Sequence, residues 1–405
     1  MADAPILNLR DPDYRRNPYP MLARVRAENP VHQDDLGIWY VTRHADVATL
    51  LKDPRLGRDL RKWFGYQMLR PYLADSPMER CIEQWMFSVD PPEHTRLRQL
   101  VARAFTPKAV AAMRAAIEAT ADELLTELAA RGEPELEVMT AFAQPFPVRV
   151  IARVLGLPIT AYDDLKRWST VAAVAIEPTA RRREKQAASD AMVDIMAYLR
   201  TQVGTRRERH DGDVIGMLLA AEDGDRLTEE ELISQLVLLF VAGHETTTNL
   251  IGNGLLALCH NPAQLERLRQ DPALGATAVE EMLRFESPAN TVGRVTHQDL
   301  TVGGVTIGAG QLVMCMAGGA NRDGEVFVDP DRFDVGRSPN PHVSFGGGVH
   351  YCLGAPLARL EGQVAFERLL ARLATVELAP DGVAWRDLVN VRGLERLRLR
   401  VTWRR

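Results

Sequence analysis

The chain has 405 residues, 46% apolar and 25% charged, the proportions of a globular protein able to bury a large core and still enclose a cofactor. A formal net charge of −5 gives no bulk electrostatic case for nucleic acid. The four cysteines (Cys81, Cys259, Cys315, Cys352) lack disulfide or metal-type spacing, and the first twenty residues, rich in charges and prolines, read as neither signal peptide nor membrane anchor. A reduced, cytoplasmic and soluble protein is expected. The length allows two or three domains, but no repeat or linker marks a boundary.

Asn17–Asn29 reads as a helix ending before Pro30, and Val31–Val41 as strands around Gly37. A helix at Ala45–Lys52 stops at Asp53-Pro54. Leu60–Ser88 has no clean period but carries Trp63, Phe64, Tyr66, Met68, Leu69, Trp85, Met86 and Phe87. It is either a core segment with loops or an irregular aromatic lid over a ligand cavity. Asp90-Pro91-Pro92-Glu93-His94 has helix-start chemistry, with Asp90 as N-cap. His94 and Arg98 share one face of that helix; taken alone, they are an ordinary polar pair.

An Ala-rich helix is expected from Pro107 to about Arg131, broken at Gly132 and Pro134, then helices at Pro147–Leu155, Ala161–Ala175 and Arg183–Thr201. The gap Glu177–Arg182 reads as a mobile roof, and Trp168, Val171, Val174 and Ile176 are substrate contacts or core. The basic clusters Arg181–Lys185 and Arg206–Arg209 read as solvated ends.

Thr228 and Glu231 form a capping box that opens a run to about His260, stopped by Asn261-Pro262. That helix is roughly 30 residues, or about 45 Å, and is apolar over Leu232–Val241. Its middle reads Ala242-Gly243-His244-Glu245-Thr246-Thr247. Glycine there costs about 1 kcal/mol against alanine, threonine hydroxyls bond back to carbonyls, and a buried glutamate needs a partner or a proton. Packing alone does not explain such a centre.

Glu281 and Arg284 sit three apart on one helical face. Ser287–Met314 then reads as strands and a hairpin cut by glycine pairs. Phe345–Gly354, FGGGVHYCLG, sets Cys352 on a glycine-rich loop before a helix with Leu357, Leu360, Val364 and Leu369 near one face and Arg359, Glu361 and Arg368 on the other. A thiol beside a helix N-terminus is expected to have a lowered pKa and to favour thiolate. No strand–helix unit surrounds the loop, which disfavours a dinucleotide site. Val391–Leu394 reads as a hairpin tip.

The pattern F-G-x-G-x-H-x-C-x-G, together with AGHETT, E-x-x-R and DPPEHTRLR in this order, resembles the cytochrome P-450 family over essentially the whole chain. The resemblance implies a single-domain fold over residues 1–405, mainly α with a small β-rich lobe, and haem b between the central long helix and the post-cysteine helix. It makes Cys352 the axial thiolate, with Phe345 packed beside the sulfur and Gly346 and Gly354 also binding the cofactor. His94, Arg98, Arg294 and His350 become haem-propionate ligands. Ala242 and Gly243 would leave room for dioxygen, and Glu245 and Thr246 would relay protons to it. Glu281, Arg284 and Arg337 (Arg332 as the other choice) would form a structural cluster. Leu238, Val241, Ala289, Asn290, Val292 and Leu394 would line the substrate pocket, together with Thr291.

The activity implied by the resemblance is dioxygen-dependent hydroxylation or epoxidation of an apolar small molecule such as a terpenoid, steroid, fatty acid or macrolide. Thiolate ligation favours O–O cleavage. Electrons from NAD(P)H would arrive through a separate ferredoxin or flavodoxin and its reductase, docking near Cys352 and Arg359 on a monomer with no membrane anchor. Two other classes remain open: a haem-thiolate protein with non-oxygenating chemistry (coupling, isomerisation, sensing), and a haem-free apolar-ligand binding protein.

Overall fold

The run opened by Thr228 is the axis of the molecule. In the computed structural model, which describes residues 6–73, 76–158, 161–177, 180–207, 213–223 and 227–404, it is one helix of 32 residues, Glu229–His260. The Thr228 hydroxyl accepts the Glu231 N–H, and the Glu231 carboxylate accepts the Thr228 N–H. The helix ends at Asn261, whose φ of −128° and ψ of 69° have left the α region that a following proline disfavours.

Helices Pro145–Leu155, Arg182–Gly204, Gly275–Phe285 and Ala355–Arg372 pack on this axis. A β-carbon on Gly243 would come 2.9 Å from Ile151 Cδ1, so glycine at mid-helix admits the helix Pro145–Leu155. The β-rich part comprises a five-stranded sheet in the order Val31–Gln33, Trp39–Val41, Leu312–Cys315, Val292–Thr296, Leu56–Gly57. A three-stranded sheet joins Glu135–Glu137, Leu394–Trp403 and Leu373–Trp385, and Leu300–Val302 pairs with Val305–Ile307. No helix among the described residues is long and apolar enough to cross a membrane.

Several expectations need correction. Leu60–Ser88 is largely helical, with helices Phe64–Leu73 and Pro77–Glu83. Its apolar period is blurred because Phe64 and Met68 face outward while Trp85 and Met86 are buried. The Ala-rich stretch is two helices, Pro107–Ala112 and Arg114–Arg131, parted at Met113. Asp90 caps nothing: Pro92 holds the N-cap position, and the Asp90 carboxylate instead accepts the Arg58 N–H at 2.6 Å. Glu361, expected on a polar face, is wholly buried. Pro178 and Thr179 of the roof, and Glu208 and Arg209 of the second basic cluster, lie outside the described residues.

Glu281 is fully buried and accepts from five groups. They are Arg284 Nε and Nη2 at 2.7 and 2.9 Å, Arg337 Nε at 3.1 Å, Asn340 Nδ2 at 3.2 Å and the Asp334 N–H at 2.9 Å. Arg284, equally buried, also donates to the carbonyls of Asn321 and Pro330, each at 2.8 Å. Two cations and one carboxylate thus bind the segment that leads into the cysteine loop. Glu281→Ala leaves Arg284 without its counter-charge in the interior, a loss of about 3–5 kcal/mol. Urea unfolding monitored by circular dichroism should register that loss; a midpoint within error of the parent would contradict it.

Candidate functional site

The cysteine loop is held by its own backbone. Gly346 and Gly348 lie at φ +69° and +66°, and the Cys352 N–H donates to the Phe345 carbonyl at 2.9 Å. A β-carbon on Gly348 would stand 2.7 Å from the Leu51 carbonyl oxygen, so the loop packs there only with glycine. The helix begins at Ala355, with Gly354 as N-cap. Cys352 remains accessible although set among protein atoms, and this setting pushes its thiol above the ordinary value. The N–H groups of Gly354 and Ala355, with Arg98 and Arg359, pull the other way without outweighing it. The helix N-terminus therefore lowers the thiol less than its surroundings raise it, and a cation bound at the sulfur would favour the thiolate.

Phe345 lies under Arg359, whose guanidinium is 4.4 Å from the ring centroid. Glu280 receives Arg359 at 2.7 and 2.9 Å and sits 3.0 Å from His342 Nε2, so Arg359 is already engaged within the loop's own support.

Beside the loop is a concentration of positive charge. His94 and His350 lie with ring centroids 4.2 Å apart and their planes tilted by 53°, Arg294 is 2% exposed, and Arg98 donates to the Tyr351 carbonyl at 2.8 Å. The structure adds Arg58, which sequence reasoning missed. Its guanidinium lies 3.5 Å above the Phe87 ring and donates to the Phe87 and Gly293 carbonyls. Burial, then the nearby charge of Arg294, drives the Arg58 pKa well down.

One carboxylate, Asp90, faces this group. It accepts Lys62 Nζ at 2.9 Å and lies 3.1 Å from His297 Nε2 and 3.9 Å from His350 Nε2. Burial would raise its pKa, but His350, the Arg58 N–H and Lys62 hold it below the usual carboxylate range. Burial, His350 and Arg98 together push His94 down to about 4. His94 Nδ1 and His350 Nε2 have no hydrogen-bond partner among the described residues. No local sequence signal marks Arg58: the carboxylate that meets its N–H, Asp90, lies more than thirty positions away.

On the central helix, nearly every side chain from Leu232 to Leu258 is buried, yet Ala242 is exposed and Gly243 and Thr246 are half-exposed. Thr246 Oγ1 donates back to the Ala242 carbonyl at 3.2 Å, and Thr247 Oγ1 to that of Gly243 at 3.5 Å. Glu245 is 5% exposed. Its carboxylate is ion-paired with Arg386, from the turn after the strand Leu373–Trp385, and stands 3.8 Å from His244 Nε2.

The pocket candidates divide. Ala289 and Val292 are half-exposed, and Thr291 is buried with its hydroxyl on Asn390 Oδ1 at 2.5 Å. Leu238 and Val241 belong to the main core at 6% and 8% exposure. Asn290 is buried with Nδ2 donating to the Val389 carbonyl at 3.4 Å, and Leu394 packs against Gly252 of the central helix. Trp168, Val171 and Val174 pack on the main core.

These features can be set against iron protoporphyrin IX, the group that the sequence resemblance implies. Among the described residues no cluster of three or more His, Cys, Asp or Glu could hold a metal ion. A single accessible thiol suits an iron whose equatorial ligands come with its ring. A surplus of buried cations around one carboxylate, with two orphaned imidazole nitrogens, suits a ligand bringing two carboxylates. An accessible strip of Ala242, Gly243 and Thr246 suits a flat apolar body alongside the helix. The residues present fit the group.

Comparison with known proteins agrees. The Cytochrome P-450 family profile matches residues 165–384. Cytochrome P-450 107B1 of Saccharopolyspora erythraea is 42% identical over 98% of this chain and 98% of its own length. The vitamin D(3) 25-hydroxylase of Pseudonocardia autotrophica is 42% identical over 94% of this chain and 93% of its own. The crystal structure of P450BioI in complex with hexadec-9Z-enoic acid ligated acyl carrier protein superposes with a TM-score of 0.89 at 38% identity, covering 96% of this chain and 99% of that one.

His244 provides a pH test of this interior. Burial lowers its pKa from 6.5 to about 4, while its Nδ1 bonds the Phe240 carbonyl at 2.9 Å. The folded state therefore holds it neutral: its contribution is fully present above about pH 6.5 and is lost as pH falls towards about 4. Across that window His244→Gln should flatten the fall in unfolding free energy measured by urea titration. An unchanged slope would count against the buried neutral imidazole.

Proposed function

Since the chain belongs to the cytochrome P-450 family and is a haem-thiolate monooxygenase using haem b, dioxygen and NAD(P)H-derived electrons, we propose that it hydroxylates or epoxidises a largely apolar small molecule beside the central helix. The observation that carries this reading is the accessible strip Ala242–Gly243–Thr246 on a helix otherwise buried. Half-exposed Ala289 and Val292 would present apolar surface to the same substrate. Relatives support the class: one is named for vitamin D(3), and one was crystallised with a fatty acyl chain on its carrier protein.

Each residue has a task. Cys352 would bind the iron, and His94, Arg98, Arg294, His350 and Arg58 would anchor the propionates, the arginines by charge and the imidazoles by hydrogen bonds. Haem, when bound, supplies dioxygen activation, to which the thiolate contributes by favouring O–O cleavage. Ala242 keeps side-chain bulk away from the place where dioxygen must fit, whereas the missing β-carbon of Gly243 makes room for Ile151. The Thr246 hydroxyl holds a proton on the accessible face, and Glu245, its neighbour, replenishes it. A ferredoxin or flavodoxin with its reductase would deliver electrons near the cysteine loop.

The first test is the carbon monoxide difference spectrum of the dithionite-reduced protein. A strongly red-shifted Soret band is expected, and Cys352→Ala should abolish it; a band at the histidine-haem position would refute thiolate ligation. Spin-state shifts should then identify apolar substrates, and product analysis should find one added oxygen rather than a coupled or rearranged product. With such a substrate, Thr246→Ala should divert NAD(P)H-derived electrons into peroxide; unchanged coupling would exclude its proton role. Arg58→Leu removes a charge-assisted hydrogen-bond donor worth about 1.5–3 kcal/mol. Haem affinity, titrated on the haem-free chain, should fall by roughly tenfold or more, and undiminished affinity would take Arg58 out of the propionate set.

A further inference from the structure

We propose that Arg386 is a positioning residue that clamps Glu245 away from Thr246, and that the roof residue Glu177 sets this clamp through the loop 386–393. The proposal rests on the reading of Glu245 and Thr246 as a proton relay, and adds to it what holds the acid and what could release it.

Glu245 and Thr246 are adjacent, yet no hydrogen bond joins their side chains: the carboxylate is taken by Arg386 and the hydroxyl by the Ala242 carbonyl. A guanidinium stays charged at any working pH and holds a carboxylate in its ionised form. While the ion pair lasts, Glu245 has no proton to give and is turned towards the C-terminal hairpin. Passing a proton to Thr246 requires the pair to open, the carboxylate to take a proton from water, and the acid to swing to the hydroxyl.

Arg386 is not free to choose its place. Its N–H donates to the Gly393 carbonyl at 3.0 Å, closing the base of the loop. At the tip of the loop, one oxygen of Glu177 accepts the N–H groups of both Val389 and Asn390, each at 3.0 Å. Glu177 is 2% exposed and follows the turn Ala173–Ile176 that ends the helix Tyr162–Ala172. On the far side, Arg392 is ion-paired with Glu286 and lies 3.8 Å over Trp385, and its carbonyl receives Asn253 Nδ2 of the central helix at 3.0 Å. The loop therefore ties Glu177 to the central helix at two points, and a displacement of Glu177 would pull on the arm that carries Arg386. The charged and titratable groups facing Arg386 are His244 and Glu245 from the central helix, Glu177 from the roof and Glu395 from the strand Leu394–Trp403.

The test tracks Glu245 itself in the holoenzyme, by infrared difference titration of its carboxyl against Glu245→Gln. Removing an opposite charge at hydrogen-bond distance raises a carboxylic acid by about 1–3 units. In Arg386→Gln, Glu245 should protonate at least about one pH unit higher than in the parent, and Arg386→Lys should restore most of the difference. Glu177→Ala should shift it in the same direction by less, and the double variant Glu177→Ala/Arg386→Gln should match Arg386→Gln alone.

Peroxide release by the substrate-free holoenzyme, driven by NADPH through a ferredoxin and its reductase, gives a second readout. Its pH midpoint should move upward in Arg386→Gln in step with the carboxyl. An unmoved Glu245 titration in Arg386→Gln overturns the clamp, and an unmoved one in Glu177→Ala overturns the link to the roof. A shifted titration with no change in peroxide release in either Arg386→Gln or Glu245→Gln overturns the relay reading and leaves the clamp standing.

Discussion

One buried carboxylate organises the approach to the cysteine loop. Glu281 has no exposed surface and is surrounded by Arg284, Arg337, Asn340 and the Asp334 N–H. Such a charge is tolerable in the interior only when its lone pairs are met, and here the donors come from its own helix, at Arg284, and from the segment 334–340. Arg284 carries the tie onward to the carbonyls of Asn321 and Pro330, and Asn321 reaches Ser344 and Val343, immediately before Phe345. Where Cys352 stands is therefore decided some seventy residues earlier, on the helix Gly275–Phe285.

Burial acts in two opposed ways around the site. It disfavours the charged forms of Arg58, Arg294 and the Cys352 thiol, and nothing inside the protein fully offsets this. These groups await an anion and a cation of the right shape, which is what a metalloporphyrin with two carboxylates supplies. Elsewhere burial is fully compensated: Asp90 and Glu280 are both held below the usual carboxylate range by partners that outweigh desolvation. The contrast separates groups that finish the fold from groups that finish a complex.

The central helix combines the two roles. Its capping box and apolar flanks make it a structural axis. Its middle gives up side-chain bulk at Ala242 and Gly243 and commits one buried acid to Arg386. The frame around it superposes on that of a protein crystallised with a fatty acid ligated to acyl carrier protein. Under the proposed function, half-exposed walls such as Ala289 and Val292 would set substrate choice, since a change of side chain there disturbs little of the core.

Much was legible from local pattern. The capping box at Thr228 and the proline after Asn261 bounded the central helix to within a residue or two, because both signals act through backbone hydrogen bonds next to them in sequence. The spacing around Cys352 carried the family resemblance for a similar reason: glycine conformation and helix start are local. Contacts between distant segments were not legible. Arg58 has no local signal, Asp90 turned from an apparent cap to a hub for Lys62 and the Arg58 N–H, and Glu361 left its polar face for the core. The same holds for Arg386 on Glu245 and Glu177 on the hairpin, which join positions 141 and more than 200 residues apart. Sequence by itself determined the elements, the cysteine loop and the chemistry that the chain can host, since these depend on nearest-neighbour sterics and backbone bonding. Only the tertiary structure decided which charge meets which, because a buried charge takes whatever partner the packing brings within reach.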